Sequence, residues 1–373
     1  MSTASPPSAE DLAYLDRART LARGGWGHVH PNPMVGCVIV REGVIVGEGF
    51  HERFGGPHAE IMALEVARSA AEGATAYVTL EPCNHHGKTP PCSEALLRAG
   101  IRRLVYGAPD PGREAGGGAE ALRNGGVDVC GPAWTEGEAW AENPAFFHNA
   151  RHGTPFVTLK LSMSLDAKIA AAPGQRTRIT GTEADREVHR LRSGFDAVMI
   201  GAGTARVDDP RLTVRRVPKG DRPLRRVVLD PAASMPSEAA LFREPDAGSP
   251  VHLFTRSDAA EAEIERLEAC GAHVHPVRFD SQGRLDLGHV SEVLWEIGTR
   301  SIFCEGGRRL ADRLLMEDRV QRLVLFIAPT TLGSHGVPAF ADDTSRLDWS
   351  RFEPLPPVAF GRDAMLSFDR VGA

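Results

Sequence analysis

PHAE (57–60) and EPCNHHGKTPPC (81–92) are the stretches whose reading decides this chain. They place one histidine, a glutamate two residues on, and two cysteines that each follow a proline on either side of AYVTL (76–80), a run that predicts a β-strand. His58, Cys83 and Cys92 are soft or borderline ligands suited to zinc, and three protein ligands leave a fourth tetrahedral position open, as in catalytic sites. Glu60 is not needed as a ligand and stands beside them as a proton carrier. Zinc brings a bound water towards neutral pKa, and hydrolytic deamination of an amidine-like ring carbon needs that nucleophile together with a proton shuttle. Two residues apart on a helix is roughly 200° of rotation, so His58 is expected at a helix start with Glu60 one step inside. Each cysteine precedes or opens a helical stretch, where the dipole favours thiolate. Eight residues separate Cys83 from Cys92, whereas the common nucleobase-deaminase signature leaves about two. The alternative is a structural zinc whose fourth ligand comes from His51, His85 or His86.

Outward from this core the pattern alternates. Residues 9–24 carry Leu12, Leu15, Ala18 and Leu21 at helical spacing, with Ser8 and Asp11 placed as a capping pair. Strands are predicted at 34–40, 44–49, 76–80 and 102–107, and helices at about 58–72, 93–99 and 117–124. Such alternation implies a parallel or mixed sheet covered on both faces, with the ligand motifs at strand-to-helix turns. The pattern loosens over FFHNARHGTP (146–155), which puts a boundary near 152 and gives domains 1–152 and 153–373. Beyond it, strands are expected near 156–161, 196–200, 225–229, 250–254, 300–304 and 320–327. Helices are expected near 183–193, 257–269, 287–297 and 308–316, and VAFGRDAMLSF (358–368) closes the chain in extended form.

A chain of 373 residues exceeds one typical core, which agrees with two domains. No apolar run approaches the roughly 18 residues of a membrane span, and the polar N-terminus lacks a signal-peptide layout. A net charge of −6 argues against a nucleic-acid binder held by a basic surface. Cysteines at 37, 83, 92, 130, 270 and 304 are too scattered for a disulfide framework, and the expected setting is cytoplasmic. Cys37, Cys130, Cys270 and Cys304 fall in apolar patterns and are expected to be buried.

Asn32 lies between two prolines in HPNPMVG (30–36), in expected extended backbone, and can offer its amide to a heterocycle or serve as a turn residue. Lys88 lies in the insertion between the cysteines, where it suits an anionic group such as a phosphate monoester or remains a solvated charge. In the second half GAGT (201–204) and EGG (305–307) are Gly-rich turns that can approach a phosphate through backbone N–H groups, or simply turn the chain. Arg192 and Arg215 can form an anion site. None of these names a redox reaction.

PNPMVG, GEGFH, PHAE, EPCNHHGKTPPC and APDP occur in one order along this chain. In that order, and in the eight-residue gap, the whole chain resembles the bifunctional deaminase–reductase family of riboflavin biosynthesis. The resemblance implies an N-terminal cytidine-deaminase-like α/β/α domain followed by a dihydrofolate-reductase-like α/β domain. It implies zinc ligands His58, Cys83 and Cys92, one zinc ion per chain, Glu60 as the catalytic proton shuttle, and Asn32, His51, Lys88 and Asp110 as substrate contacts. It implies NADPH beside Ser162, Arg178, Thr204, Asp208, Gly307, Arg308, Arg309 and Leu310, and substrate beside Arg176, Arg192, Leu212, Arg215 and Glu305. Asp166 or Lys160 is then a candidate to assist ribose ring opening. DPGREAGGG (109–117) departs from the family's usual continuation, and Arg178 stands where the family often has Trp. The implied partner is a phosphorylated pyrimidine, with no nucleic acid and no membrane, and the implied assembly a homo-oligomer. The competing readings are a deaminase alone, with the second domain a phosphate-binding or assembly module, and a tRNA or free-base deaminase.

Overall fold

The structure is a computed structural model that describes residues 6–370 apart from 87–89, 113–115, 219, 221, 244–248 and 341–346. The chain divides into two compact units, Met1–Gly153 and Thr154–Ala373. The first runs α1 (Ala9–Ala22), β1 (Gly36–Arg41), β2 (Val44–Phe50), α2 (Ala59–Ala67), β3 (Thr75–Leu80), α3 (Cys92–Arg98), β4 (Arg103–Ala108), α4 (Gly118–Asn124), β5 (Asp128–Cys130), α5 (Glu136–Glu142) and α6 (Pro144–His152). Its sheet has the order β2-β1-β3-β4-β5; β1 is antiparallel to both neighbours, and β3, β4 and β5 are parallel.

Helices cover both faces of this sheet. On one, Leu15 and Ala18 of α1 pack on Val38, Val40, Tyr77 and Val105; on the other, Ala59, Ala63, Leu96 and Leu122 of α2, α3 and α4 pack on Cys37, Ile39, Val78 and Leu104. The GEG of GEGFH allows one unusually close contact. A Cβ on Gly47 would lie 2.3 Å from the Ala63 carbonyl oxygen, and one on Gly49 would lie 2.5 Å from the Ala63 nitrogen. Only glycine lets the backbone of α2 settle onto β2, and that seating sets where His58 and Glu60 stand.

The second unit runs β6 (Phe156–Ser164), β7 (Lys168–Ala170), α7 (Thr182–Ser193), β8 (Ala197–Gly201), α8 (Ala202–Asp208), β9 (Arg225–Leu229), α9 (Ala240–Arg243), β10 (Val251–Arg256), α10 (Glu261–Ala269), β11 (Ala272–Val277), α11 (Leu287–Glu296), β12 (Ser301–Cys304), α12 (Arg308–Met316), β13 (Arg322–Ala328), β14 (Val337–Pro338), β15 (Phe352–Pro354), β16 (Val358–Phe360) and β17 (Asp363–Arg370). Its main sheet has the order β11-β10-β9-β8-β12-β6-β13-β17-β15, with β16 also paired to β17. The strands from β11 to β13 are mutually parallel and β17 is antiparallel to β13. Ala197 and Met199 of β8 point into the core under α11 and α12, while Val198 and Ile200 point into the core under α8, α9 and α10. Burial on both faces explains why these strands read as continuous apolar runs. Asp196 locks the start of β8 to that of β12: its carboxylate accepts from the Arg300 and Ser301 N–H groups at 2.8 and 3.1 Å and from Arg222 at 3.1 Å.

Three expectations need correction. Residues 144–152 form α6 rather than loosened chain, with Pro144 in its first turn, where a missing N–H costs nothing, and Gly153 closing it at φ 63°. GAGT is no simple turn, because Ala202–Asp208 continues as α8. Cys270 is only half-buried at the end of α10, whereas Cys37, Cys130 and Cys304 are buried.

Candidate functional site

In the first unit the parallel strands β3 and β4 end side by side, and the chain leaving them carries Cys83 and Asp110. His58 is the N-cap of α2 in extended backbone, and its ring does not cap the helix. It turns instead towards the cysteines: Nδ1 lies 3.6 Å from Cys83 Sγ and 3.3 Å from Cys92 Sγ. Among the described residues these three form the one group of three or more potential ligands whose donor atoms lie within 4.8 Å of one another. Cys92 opens α3, and its N–H donates to Cys83 Sγ at 3.4 Å. The Cys83 thiol is pulled down to about 4, chiefly by the Cys92 thiol, with the His58 ring and the Cys92 N–H adding to the effect. The Cys92 thiol is pushed up by the same pairing, so with no cation between them the two sulfurs share one negative charge, carried by Cys83, and Cys92 gives up its proton only to a bound cation. One imidazole nitrogen and two sulfurs on converging vectors form a donor set that fits zinc.

Glu60 lies in the first turn of α2 and is 3 % exposed. Burial pushes its carboxyl up to about 7, against the pull of His58. His51 is buried, with Nδ1 2.9 Å from the Pro57 carbonyl and Nε2 3.2 Å from Asn32 Nδ2. A carbonyl only accepts, so Nδ1 carries the proton and Nε2 accepts from the Asn32 amide. His51 thus anchors Asn32, and with both nitrogens used it is no fourth metal ligand. Asn32 itself sits in a turn, its N–H donating to the Val29 carbonyl, and not in extended chain. His86 turns to Glu94 at 3.1 Å. Asp110 is half-buried, which raises its carboxyl, and its charge reaches both His58 and Cys83. Lys88 lies outside the described residues.

In the second unit β12 ends beside the middle of β6, and a charge cluster forms there. Glu305 accepts from Arg192 Nη2 at 2.6 Å and Nε at 2.8 Å, and Lys160 Nζ lies 3.7 Å from it. Burial alone would raise the Glu305 carboxyl, but Arg192 and Lys160 hold it low. Arg192 also donates to the Thr213 carbonyl at 2.6 Å, so it props the 211–215 segment rather than facing solvent. There Leu212 is buried at φ 54°, a strained conformation for a non-glycine residue, and the Arg215 N–H donates to His189 Nδ1 at 3.2 Å. Thr204 and Gly307 are brought together, since the Gly307 N–H donates to Thr204 Oγ1 at 3.0 Å. Asp208 ends α8, its carboxyl raised by burial and lowered by Arg176 and Lys160. Ser162 is half-buried on β6, while Arg176, Arg178 and Arg309 are exposed and Arg308 pairs with Asp312 at 3.6 Å. The Leu310 side chain belongs to the core, leaving only its backbone to face a ligand.

Asp166 proves to be a clamp. It accepts from Ser164 Oγ at 2.5 Å and from the Leu332 and Gly333 N–H groups at 3.0 and 2.8 Å, which hold it down at about 2. Its three donors make that carboxylate a tie between the turn after β6 and residues 332 and 333.

Residues 8–108 match the cytidine and deoxycytidylate deaminase zinc-binding region, and residues 155–360 match the RibD C-terminal domain. The riboflavin biosynthesis protein RibD of Aquifex aeolicus is 40% identical over 324 residues, 87% of this chain and 88% of that protein. RibD of Escherichia coli is 40% identical over 340 residues, covering 87% and 89%. The chain belongs to the RibD family. Among solved structures, a RibD of Acinetobacter baumannii superposes with a TM-score of 0.83 at 31% identity, covering 97% of this chain and 99% of that one. A deaminase/reductase of Thermotoga maritima gives 0.82 at 31% identity with the same coverage. As in RibD proteins, a cytidine-deaminase-like domain comes first and a reductase domain second.

Sequence reasoning passed over two residues that this RibD-family chain uses. His189, buried on α7, props Arg215, and Glu81 braces the chain around Asp110. The signal for Glu81 was present in EPC, two residues before a ligand, but its partners lie 29 to 38 residues away.

Proposed function

We propose that this chain deaminates the ring of a diamino-ribosylamino-pyrimidinone 5′-phosphate in its first unit and reduces the ribosyl group to ribityl with NADPH in its second. The observation that carries the reading is the convergence of His58 Nδ1, Cys83 Sγ and Cys92 Sγ beside the buried Glu60. The Thermotoga maritima relative is described as a diaminohydroxyphosphoribosylaminopyrimidine deaminase and 5-amino-6-(5-phosphoribosylamino)uracil reductase, which supports carrying both steps here.

His58, Cys83 and Cys92 hold zinc, which when bound lowers the pKa of a water towards neutrality. Glu60, with a carboxyl near neutrality, takes one proton of the attacking water and passes it to the ring nitrogen, then carries the second, from the hydroxyl now on the ring carbon, to the amine, which leaves as ammonia. Net, water replaces the amino group and ammonia leaves. Asn32, anchored by His51, and Asp110 orient the ring's polar edge, and Lys88 takes the phosphate. In the second unit NADPH supplies the hydride when bound. Thr204 and Gly307 present the start of α12 to its phosphates, and the exposed Arg176 and Arg178 suit its 2′-phosphate. Lys160 and Glu305 offer a donor and an acceptor to the opened sugar, and Arg215 meets the substrate phosphate.

The test supplies purified zinc-loaded protein with the phosphorylated pyrimidine, with and without NADPH. Ammonia release without NADPH, and loss of 340 nm absorbance with it, are expected. Glu60→Gln keeps its zinc, loses deamination by about 10²- to 10⁴-fold, and still consumes NADPH on the deaminated intermediate. Deamination without any NADPH consumption would instead establish the deaminase-only alternative.

A further inference from the structure

We propose that Glu81 is a positioning residue for deamination, holding the segment that carries Asp110 against the metal-ligand turn; this rests on the deaminase reading above. Glu81 follows directly on β3, and its own N–H still donates to the Ala108 carbonyl at 2.8 Å, continuing the β3–β4 ladder by one step. Its side chain therefore lies where the chain leaves β4 for Asp110. One carboxylate oxygen, Oε2, accepts from the Asp110 N–H at 3.3 Å. The other, Oε1, accepts from the Gly117 and Ala119 N–H groups at 3.2 and 3.0 Å.

Those last two donors belong to the start of α4, whose N-cap is Gly117 at φ 91° and has no side chain to cap with. First-turn N–H groups need an acceptor, and a carboxylate is the favoured one at the positive end of a helix. Glu81 supplies from β3 the cap that α4 lacks. The next residue reinforces the junction: a Cβ on Gly118 would lie 1.8 Å from the Pro82 carbonyl oxygen, so α4 starts in direct backbone contact with Pro82. Residues 81, 82 and 83 thus take three successive tasks, bracing the Asp110 segment, seating α4, and presenting Cys83 to the metal. Asp110 is thus held by Glu81 at its N–H and by the Gly112 N–H at its carboxylate (2.8 Å). Glu81 is not itself a member of that ligand group.

Glutamine separates the possibilities because it keeps size and shape but has only one acceptor oxygen. With that oxygen turned to Gly117 and Ala119, its NH₂ faces the Asp110 N–H, donor against donor, and the tie to Asp110 is lost. The experiment measures zinc content, ammonia release and NADPH consumption for full-length zinc-loaded wild type, Glu81→Gln, Glu81→Asp, Asp110→Asn and the Glu81→Gln/Asp110→Asn double variant, with the phosphorylated pyrimidine as substrate. Glu81→Gln is expected to keep one zinc and unchanged reductase kinetics. Its deaminase kcat/KM should fall on the order of tenfold to a hundredfold, mainly through KM. In the double variant it should add little to the loss from Asp110→Asn, since both act on one interaction. Undiminished deamination in Glu81→Gln overturns the proposal, as does a loss that simply multiplies with that of Asp110→Asn or one that comes with lost zinc. If Glu81→Gln does not fold, Glu81→Asp decides by the same criteria: charge is retained, reach is shortened, and a wild-type deaminase KM overturns the idea. A wild type that releases no ammonia refutes the deaminase reading itself, an outcome separate from any of these.

Discussion

Asp11 is the point at which one replaced atom should cost the first unit a measurable share of its stability. It sits in the first turn of α1 and is 3 % exposed. Its carboxylate accepts from the Ser8 N–H at 2.8 Å, from Tyr77 Oη at 3.0 Å, and from both terminal nitrogens of Arg103 at 2.7 and 3.1 Å. One side chain therefore closes the capping box of α1 and pins that helix across β3 and β4. Burial works against the charge, yet Arg103, Ser8 and Tyr77 together bring the group from 3.8 down to about 2. At about 1.4 kcal/mol per pH unit, ionised Asp11 favours the folded state by about 2.5 kcal/mol. Since the folded value lies below the unfolded one, this contribution is complete above about pH 4 and fades as pH falls towards 2. Asp11→Asn keeps one acceptor but turns an NH₂ towards donors, so about 2–3 kcal/mol should be lost at pH 7. With a urea dependence of about 2 kcal/mol per molar, the midpoint for losing deaminase activity moves down by about 1 M, while that for reductase activity stays in place. A deaminase midpoint unmoved within about 0.2 M, or an equal shift in both activities, would refute the reasoning.

The second unit offers two further expectations. His252 is held down to about 3 by burial and by the rings of His275 and His273, and its Nδ1 lies 2.9 Å from His275 Nε2. An unfolded chain takes up that proton near pH 6.5, so stability falls with pH below that value, by about 2 kcal/mol at pH 5. His252→Phe should flatten this acid arm, and melting temperatures at pH 5 and 7 for variant and wild type decide it, equal slopes counting against the account. Glu305→Gln leaves the buried Arg192 and Lys160 charges without their anion. Unit two should lose about 3 kcal/mol and NADPH consumption should collapse, with ammonia release unchanged; an intact reductase would remove Glu305 from the site.

How much could be read beforehand depended on how local each cause was. The cap at Ser8 and Asp11 was legible because its partners lie three residues apart, and the first helix begins where that pair placed it. Asp11's second role, reaching Tyr77 and Arg103, was not legible because those residues lie 66 and 92 positions away. Cys92 opens a helix as expected, but Asn32 between its prolines forms a turn because Val29, three residues back, offers a carbonyl. FFHNARH was missed as a helix for a related reason. Its start is marked by Pro144 and its end by Gly153, while the aromatic residues between them gain helical meaning only by packing against Leu80 and Ala108.

The two sites differ in legibility for a chemical reason. A zinc ion accepts few ligand types at bond lengths near 2.0–2.3 Å, so its residues must be His and Cys, and secondary structure confines them to strand ends and helix starts. That narrow choice survives in one short stretch of chain even when eight residues are inserted between the cysteines. A hydride site imposes no such choice, because the cofactor brings the reactive atom and the protein supplies hydrogen bonds that many side chains or backbone groups can make. Its parts are drawn from β6, α7, α8, the residues after β12 and the 211–215 segment, and their relation appears only once the sheet order β8-β12-β6 puts Lys160, midway along β6, beside the end of β12 that leads to Glu305, with Thr204 on the helix that follows β8. Asp166 shows the consequence. Near a strand end and beside Lys168 it had the composition of an acid catalyst, yet two backbone N–H groups from residues 332 and 333 occupy its carboxylate and give it the place of a brace. Where function rests on metal bonds, composition and spacing approach a sufficient description; where it rests on shared hydrogen bonds, the same residue type is a catalyst or a brace according to partners more than a hundred positions away.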